Sequence, residues 1–279
     1  MMALTKNRKR AIVLFLFLLS ACSGIKVAYY FLDNMLRKEL LPYLADDKTR
    51  DLAEKQILAF KTWHRRTMLR KYGAFLRKVA ASSLSQEEVA QHFQEGTRLW
   101  EETIVGGMRF MAVVLVDHTS KKQLAHTRRA MAKAYVERLK KASRPFKERI
   151  SGNTKKTVEG FERFTGDLNG KQKRIIAANL QVMSASTLYW LKGQQARQAA
   201  LLIFLAQRPK RGELETFLRR LVLKPEQFSD SVFLKRLTEI RTRIRKMLFD
   251  VLSAMDSKQR QHFKRTLLAY AADLDALAR

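Results

Sequence analysis

The chain has 279 residues, with 55 lysines and arginines against 26 acidic residues, for a formal net charge of +29. A single cysteine excludes an internal disulfide, so stability must come from packing. Only 11 glycines and 4 prolines punctuate the chain, and it lacks the sustained alternation of a many-stranded β protein.

The first element is an export signal. Lys6, Arg8, Lys9 and Arg10 form a basic region, Ala11 to Leu19 an apolar run, and Leu19-Ser20-Ala21-Cys22 follows. A spanning helix needs about 20 apolar residues, so this run is too short to remain in a bilayer. Its layout is that of a cleaved segment. The Leu and small residues before Cys22 fit a bacterial lipobox, in which the thiol takes a diacylglyceryl group and the bond before it is cut. Fatty acylation of the new amine, with palmitate among the acyl groups, completes the anchor; each buried methylene contributes about 0.8 kcal/mol. An ordinary signal peptide with a chance cysteine and a short buried helix are the alternative readings. On the lipobox reading, residues 1–21 are removed and residues 22–279 form a single helical periplasmic domain. Ser23, rather than Asp, after the cysteine favours the outer membrane.

Removal of residues 1–21 lowers the basic count from 55 to 51 against the same 26 acidic residues, leaving +25 on 258 residues. Such a charge usually indicates nucleic acid. Export argues against that partner and for envelope proteins, anionic lipid or glycan.

The rest of the chain predicts an all-α protein of long amphipathic helices. Ser85-Gln86-Glu87-Glu88 is a capping box with Leu84 and Val89 as its staple. Ser120-Lys121-Lys122-Gln123, Asn169-Gly170-Lys171-Gln172 and Asp256-Ser257-Lys258-Gln259 follow the same logic: the first side chain accepts from an orphan N–H, and the last reaches back. Gly106-Gly107 is expected to loosen or break a helix, and Ser151-Gly152-Asn153 to turn. Pro42, Pro145, Pro209 and Pro225 mark breaks, with a turn at Arg208-Pro209-Lys210-Arg211-Gly212. From Asn169 to Gln207 the pattern reads as one helix roughly 55–60 Å long, weakened only at Gly193. Leu237, Ile240, Ile244, Leu248 and Val251 form one apolar stripe, and Phe263, Leu267, Tyr270, Leu274 and Leu277 another.

Cys22-Ser23-Gly24-Ile25-Lys26 with Tyr29 and Tyr30, Trp63-His64-Arg65, Arg70-Lys71-Tyr72, Trp190-Leu191 and Arg197-Gln198 resemble an uncharacterised proteobacterial lipoprotein family, a domain of unknown function. The resemblance spans nearly all of the mature chain and implies a location and a helical fold but no activity. The family's first helix would usually open on a Leu-Thr-x-x-Gln-like box, where this chain has Asp46-Asp47-Lys48-Thr49-Arg50. The boxes at Leu84 and Leu168 are also similar, as a motif, to those of Spy-like periplasmic chaperones, although both lack the Thr.

No catalytic constellation emerges. The five histidines (His64, His92, His118, His126 and His262) make no His-Glu-x-x-His pair, and no phosphate loop or nucleophile elbow is present. No catalytic residue, metal or cofactor is therefore assigned. His64 is expected as a core or boundary residue with one hydrogen-bond partner. Trp63, Trp100 and Trp190 are expected as core anchors, and Arg197 with Gln198 as a buried polar network.

The basic set Arg236, Arg241, Arg243, Arg245 and Lys246 is the binding candidate, with Arg241 and Arg245 on one i, i+4 row. Arg128, Arg129, Lys133, Lys140 and Lys141 form a second basic set. The function expected is a non-catalytic, lipid-anchored binding or chaperone-like protein. A structural or assembly subunit of an envelope complex is the alternative.

Overall fold

The computed structural model describes residues 24–184, 187–228 and 231–279. The signal segment and Cys22 lie outside the described residues. Within them are twelve α-helices, two short 3-10 turns and no strand. The all-α expectation holds. In chain order the helices are α1 Gly24–Tyr30, α2 Leu32–Leu40, α3 Asp47–Thr67, α4 Leu69–Ala81, α5 Gln86–Leu115 and α6 Lys121–Ala142. There follow α7 Phe146–Thr165, α8 Gly170–Ser184, α9 Thr187–Ala206, α10 Arg211–Leu223, α11 Ser231–Ser253 and α12 Ser257–Leu277.

All four expected capping boxes form. At α5, Ser85 Oγ accepts from Glu88 N and Glu88 Oε2 accepts from Ser85 N, both at 3.2 Å. Ser120 with Gln123, Asn169 with Gln172, and Asp256 with Gln259 repeat the exchange. Leu84 and Val89 enter the same core cluster, as a staple requires. Leu84 is held at φ 62°, a conformation that costs an L-residue energy and that serves here to bury its side chain. Asp46, unrecognised as a cap in the sequence, accepts from Thr49 N at 2.8 Å and with its other oxygen from Gln123 Nε2 at 3.0 Å. One carboxylate thereby joins the starts of α3 and α6. The Gln123 bond, then those from Thr49, hold its pKa down to about 2.

The closest-packed pair is α4 with α12, whose stripe Phe263, Leu267 and Leu274 is buried. Helices α7 and α8 pack on each other as a hairpin, against which α11 rests through α8 and α12 through α7. A second core around Leu205, Leu214, Ala112 and Val114 joins α5, α9 and α10. Lys26 pairs with Asp273 at 2.6 Å and Tyr29 donates to Lys61 O at 3.0 Å, holding α1 against α12 and α3. His64 has the single side-chain partner expected, Tyr29 Oη at 3.4 Å, and burial lowers its pKa.

Two local expectations fail. Gly106 and Gly107 break nothing: they sit inside the continuous helix α5, where a Cβ on Gly106 would overlap the Trp63 ring and one on Gly107 would lie 3.3 Å from Phe60. Their lack of a side chain lets α3 seat its aromatics against α5. Ser151-Gly152-Asn153 lies within α7, since one glycine costs a helix only about 1 kcal/mol and the flanking turns pack. The run from Asn169 to Gln207 is helical on both sides of Ala185 and Ser186, as α8 and α9. Ala185 and Ser186, between them, lie outside the described residues.

Candidate functional site

Two cavities of opposite character adjoin at Trp100 of α5 and along α11, and together they are the candidate cleft. Their common features are Trp100, whose side chain lines both, and one face of α11. On that face Ile240 and Ile244 line the first compartment, and Leu248 and Leu252 the second. These α11 positions advance by four, so a single i, i+4 row forms a continuous wall.

The larger compartment, about 720 Å³, lies between α5 and α7 over α4, α11 and α12, with Phe75, Phe161 and Phe164 among its walls. No charged side chain lines it, and His92 is its one imidazole. Burial, and then the nearby Lys78, lowers the His92 pKa. Both ring nitrogens of His92 are buried without a hydrogen-bond partner.

The smaller compartment, about 570 Å³, is walled by Trp100, Trp190 and Ile244 and carries Gln194, Gln198, Arg197 and Arg241. Its construction starts at Gly193, where a Cβ would lie 2.7 Å from the Phe233 ring. That close approach of α11 to α9 puts Phe233 edge-on to Trp190, at 5.4 Å, and under the Arg197 guanidinium, at 5.9 Å. Arg197 Nη1 is buried and has no hydrogen-bond partner. Burial lowers the Arg197 pKa, yet a guanidinium stays protonated at any ordinary pH. A cationic donor is therefore held out of water beside a cavity.

The expected polar network at Arg197 and Gln198 is absent at Nη1, and two of the expected core tryptophans are partly exposed: Trp100 at 51 % and Trp190 at 38 %. Trp63, by contrast, is half-buried and packs against Gly106 and Phe110. A third cavity, about 420 Å³ and without a charged lining residue, lies under α2 and α3 and belongs to the second core.

The five basic residues expected on α11 do not converge. Arg241 lines the cleft. Arg236 is half-buried, its guanidinium 5.3 Å from the Tyr189 ring centre. Arg243 and Arg245 are exposed, and Lys246 pairs with Asp250 at 2.7 Å. Adjacent numbering spreads these charges around the helix. The set Arg128, Arg129, Lys133, Lys140 and Lys141 is exposed on α6 and lines neither compartment. Trp100, Trp190 and Arg197 are the cleft residues that sequence reasoning assigned elsewhere. Gly193, an isolated glycine one turn before Arg197, was the available signal of a close helix approach.

Residues 43–233 match the model of a family of unknown function, DUF6279. The chain belongs to that family. No curated protein and no solved structure matches it. The DUF6279 match includes Trp63, Trp100, Trp190 and Arg197 but leaves out Cys22 to Tyr30, Arg241 and all of α12. It is narrower than the resemblance read from the sequence. Among the described residues of this DUF6279 protein, no group of three His, Cys, Asp or Glu side chains could hold a metal ion.

Proposed function

We propose that this DUF6279 protein is a lipid-anchored, non-catalytic binding protein of the cell envelope. Cys22 anchors it to the outer membrane with its helical domain facing the periplasm, and the cleft takes apolar segments of acidic, unfolded clients. The observation that carries this reading is the half-exposed Trp100 between an apolar compartment and one lined by two guanidiniums. A partly exposed aromatic in a concave apolar surface is a feature of binding sites. The approximate likeness of its capping boxes to those of Spy-like chaperones is consistent with such a role.

The anchor draws support from the lipobox and from the helices that follow it. Val27, Tyr30, Phe31 and Met35 are all exposed, Tyr30 at 72 %, within fourteen residues of Cys22. An apolar row of this kind suits the headgroup boundary of a bilayer. No described helix is long and apolar enough to cross a membrane.

The test is suppression of aggregation of an acidic unfolded client by the intact protein. Suppression that falls steeply between low and high salt supports the reading, because screening weakens the charge attraction. Absence of any salt-sensitive effect on several clients would sink it.

Leu188 and Ile203 favour the second reading, an assembly subunit. Both are exposed on helix α9, Ile203 at 62 %. In-cell crosslinking separates the two: many stress-dependent clients support the chaperone reading, and one partner at near-equal amount supports the subunit.

A further inference from the structure

We propose that the cleft binds an anionic amphiphile with one long acyl chain, its carboxylate or phosphate held by Arg197 and Arg241 and its chain lying past Trp100 in the apolar compartment. The inference rests on the cleft being the binding surface, as above, and names the ligand class.

The segregation of polarity is the first support. One compartment has no charged lining residue; the other has two guanidiniums and two glutamine amides. A purely apolar ligand would leave the second unused, and a small anion would leave the first unused. The two lie in sequence along α11. Arg241 and Leu252 are eleven residues apart, so the wall between them is about 16 Å long at 1.5 Å per residue. That is the reach of a long extended chain with its head at one end.

Volume sets the number of chains. With a methylene filling about the 30 Å³ of a water molecule, a compartment of about 720 Å³ holds one long chain and not two.

The head-group site follows from Arg197. Its Nη1 is buried without a partner, a state that costs free energy until an acceptor arrives. Carboxylate and phosphate oxygens match the planar fork of a guanidinium and form charge-assisted bonds with it. Trp100 and Trp190 wall the head-group compartment with apolar surface, which lowers the local polarity around that contact.

The experiment uses the intact, lipid-anchored chain in phosphatidylcholine nanodiscs. Palmitic acid carrying a mid-chain diazirine is added and photolysed, and the modified residues are mapped by mass spectrometry. Expected are adducts on cleft-lining residues such as Phe161 and Leu248, reduced at least tenfold in an Arg197→Met/Arg241→Met variant whose thermal melt shows it folded. Hexadecanol with the same diazirine should label the cleft at least tenfold less. Displacement by unlabelled palmitate against lysophosphatidate then distinguishes a carboxylate from a phosphate head. Equal labelling by the alcohol, or full labelling of the double variant, would overturn head-group recognition while leaving the apolar cleft as a binding surface. Adducts confined to residues outside the cleft would overturn the amphiphile itself, and the aggregation assay then judges the client reading independently.

Discussion

Gln172 and Gln259 close a reciprocal amide pair between the starts of α8 and α12. Gln172 Nε2 donates to Gln259 Oε1 at 3.2 Å, and Gln259 Nε2 donates to Gln172 Oε1 at 3.1 Å. Each Oε1 also accepts from its own cap residue, Asn169 N at 2.9 Å and Asp256 N at 3.2 Å. Each amide's second hydrogen reaches a backbone carbonyl, Val251 O at 3.1 Å and Asp167 O at 2.7 Å. Both side chains are buried and every donor is satisfied. Two local helix caps thereby become a tertiary joint among α7, α8, α11 and α12, and of these α7, α11 and α12 line the apolar compartment.

Breaking that joint from one side should be costly. Gln172→Ala orphans Asn169 N–H, Val251 C=O and half of the Gln259 amide, with an expected loss of about 3 kcal/mol. Adding Gln259→Ala should cost less than the sum of the two single changes, by roughly 1–2 kcal/mol. Urea unfolding of the three variants measures both quantities. Strict additivity would show that the two caps act independently.

Two glycines make opposite predictions. Gly106→Ala drives a methyl into the Trp63 ring and should destabilise by about 2 kcal/mol or more through overpacking. Gly152→Ala, within α7 with nothing inside 4 Å, should stabilise by about 0.5–1 kcal/mol. Thermal melts compare them; a neutral Gly106→Ala would mean that Trp63 moves aside at little cost.

Arg197 is placed at the expense of stability. Arg197→Met removes an unpartnered buried donor at the cost of the guanidinium's contact with the Phe233 ring, so the variant should be up to about 1 kcal/mol more stable than the parent. A clear loss of stability would make Arg197 a structural residue instead.

Acid should act in two separate windows. Burial lowers the folded pKa values of His64, His92 and His118 below the usual 6.5. The unfolded chain therefore binds more protons, and the histidine contribution, complete above about 6.5, is lost as pH falls through the lowered values. Asp33 and Asp46, both held to about 2, contribute stability lost only between their ordinary 3.8 and about 2. The lysine bond of Lys61 is the main cause at Asp33, and the Gln123 amide at Asp46. The Tm should fall between pH 7.5 and 5, and fall less in His92→Phe. A Tm flat over that range would show that the buried imidazoles do not titrate below their ordinary pH.

Cys22→Ala tests the anchor. The variant should lose metabolic palmitate labelling and, unlike the parent, should not fractionate as a processed outer-membrane lipoprotein. Retained labelling would place the acyl group elsewhere.

The sequence by itself determined what is settled within a few residues. Ser85, Ser120, Asn169 and Asp256 cap their helices because each side chain bonds backbone no more than three residues away. The stripe Phe263, Leu267 and Leu274 is buried because helical spacing puts those residues on one face. Only the tertiary structure decided the cleft. Trp100, Trp190, Arg197 and Arg241 come from three helices, and nothing in their spacing says that they meet. Gly106 and Gly193 read locally as weak points in helices, whereas their role is set by the Trp63 and Phe233 rings that arrive from elsewhere. The five basic residues of α11 were legible as charge but not as a site, because helical rotation sends neighbours in sequence to different surroundings. A cap depends on bonds that the local backbone brings into range, while a cleft depends on which helix faces pack together.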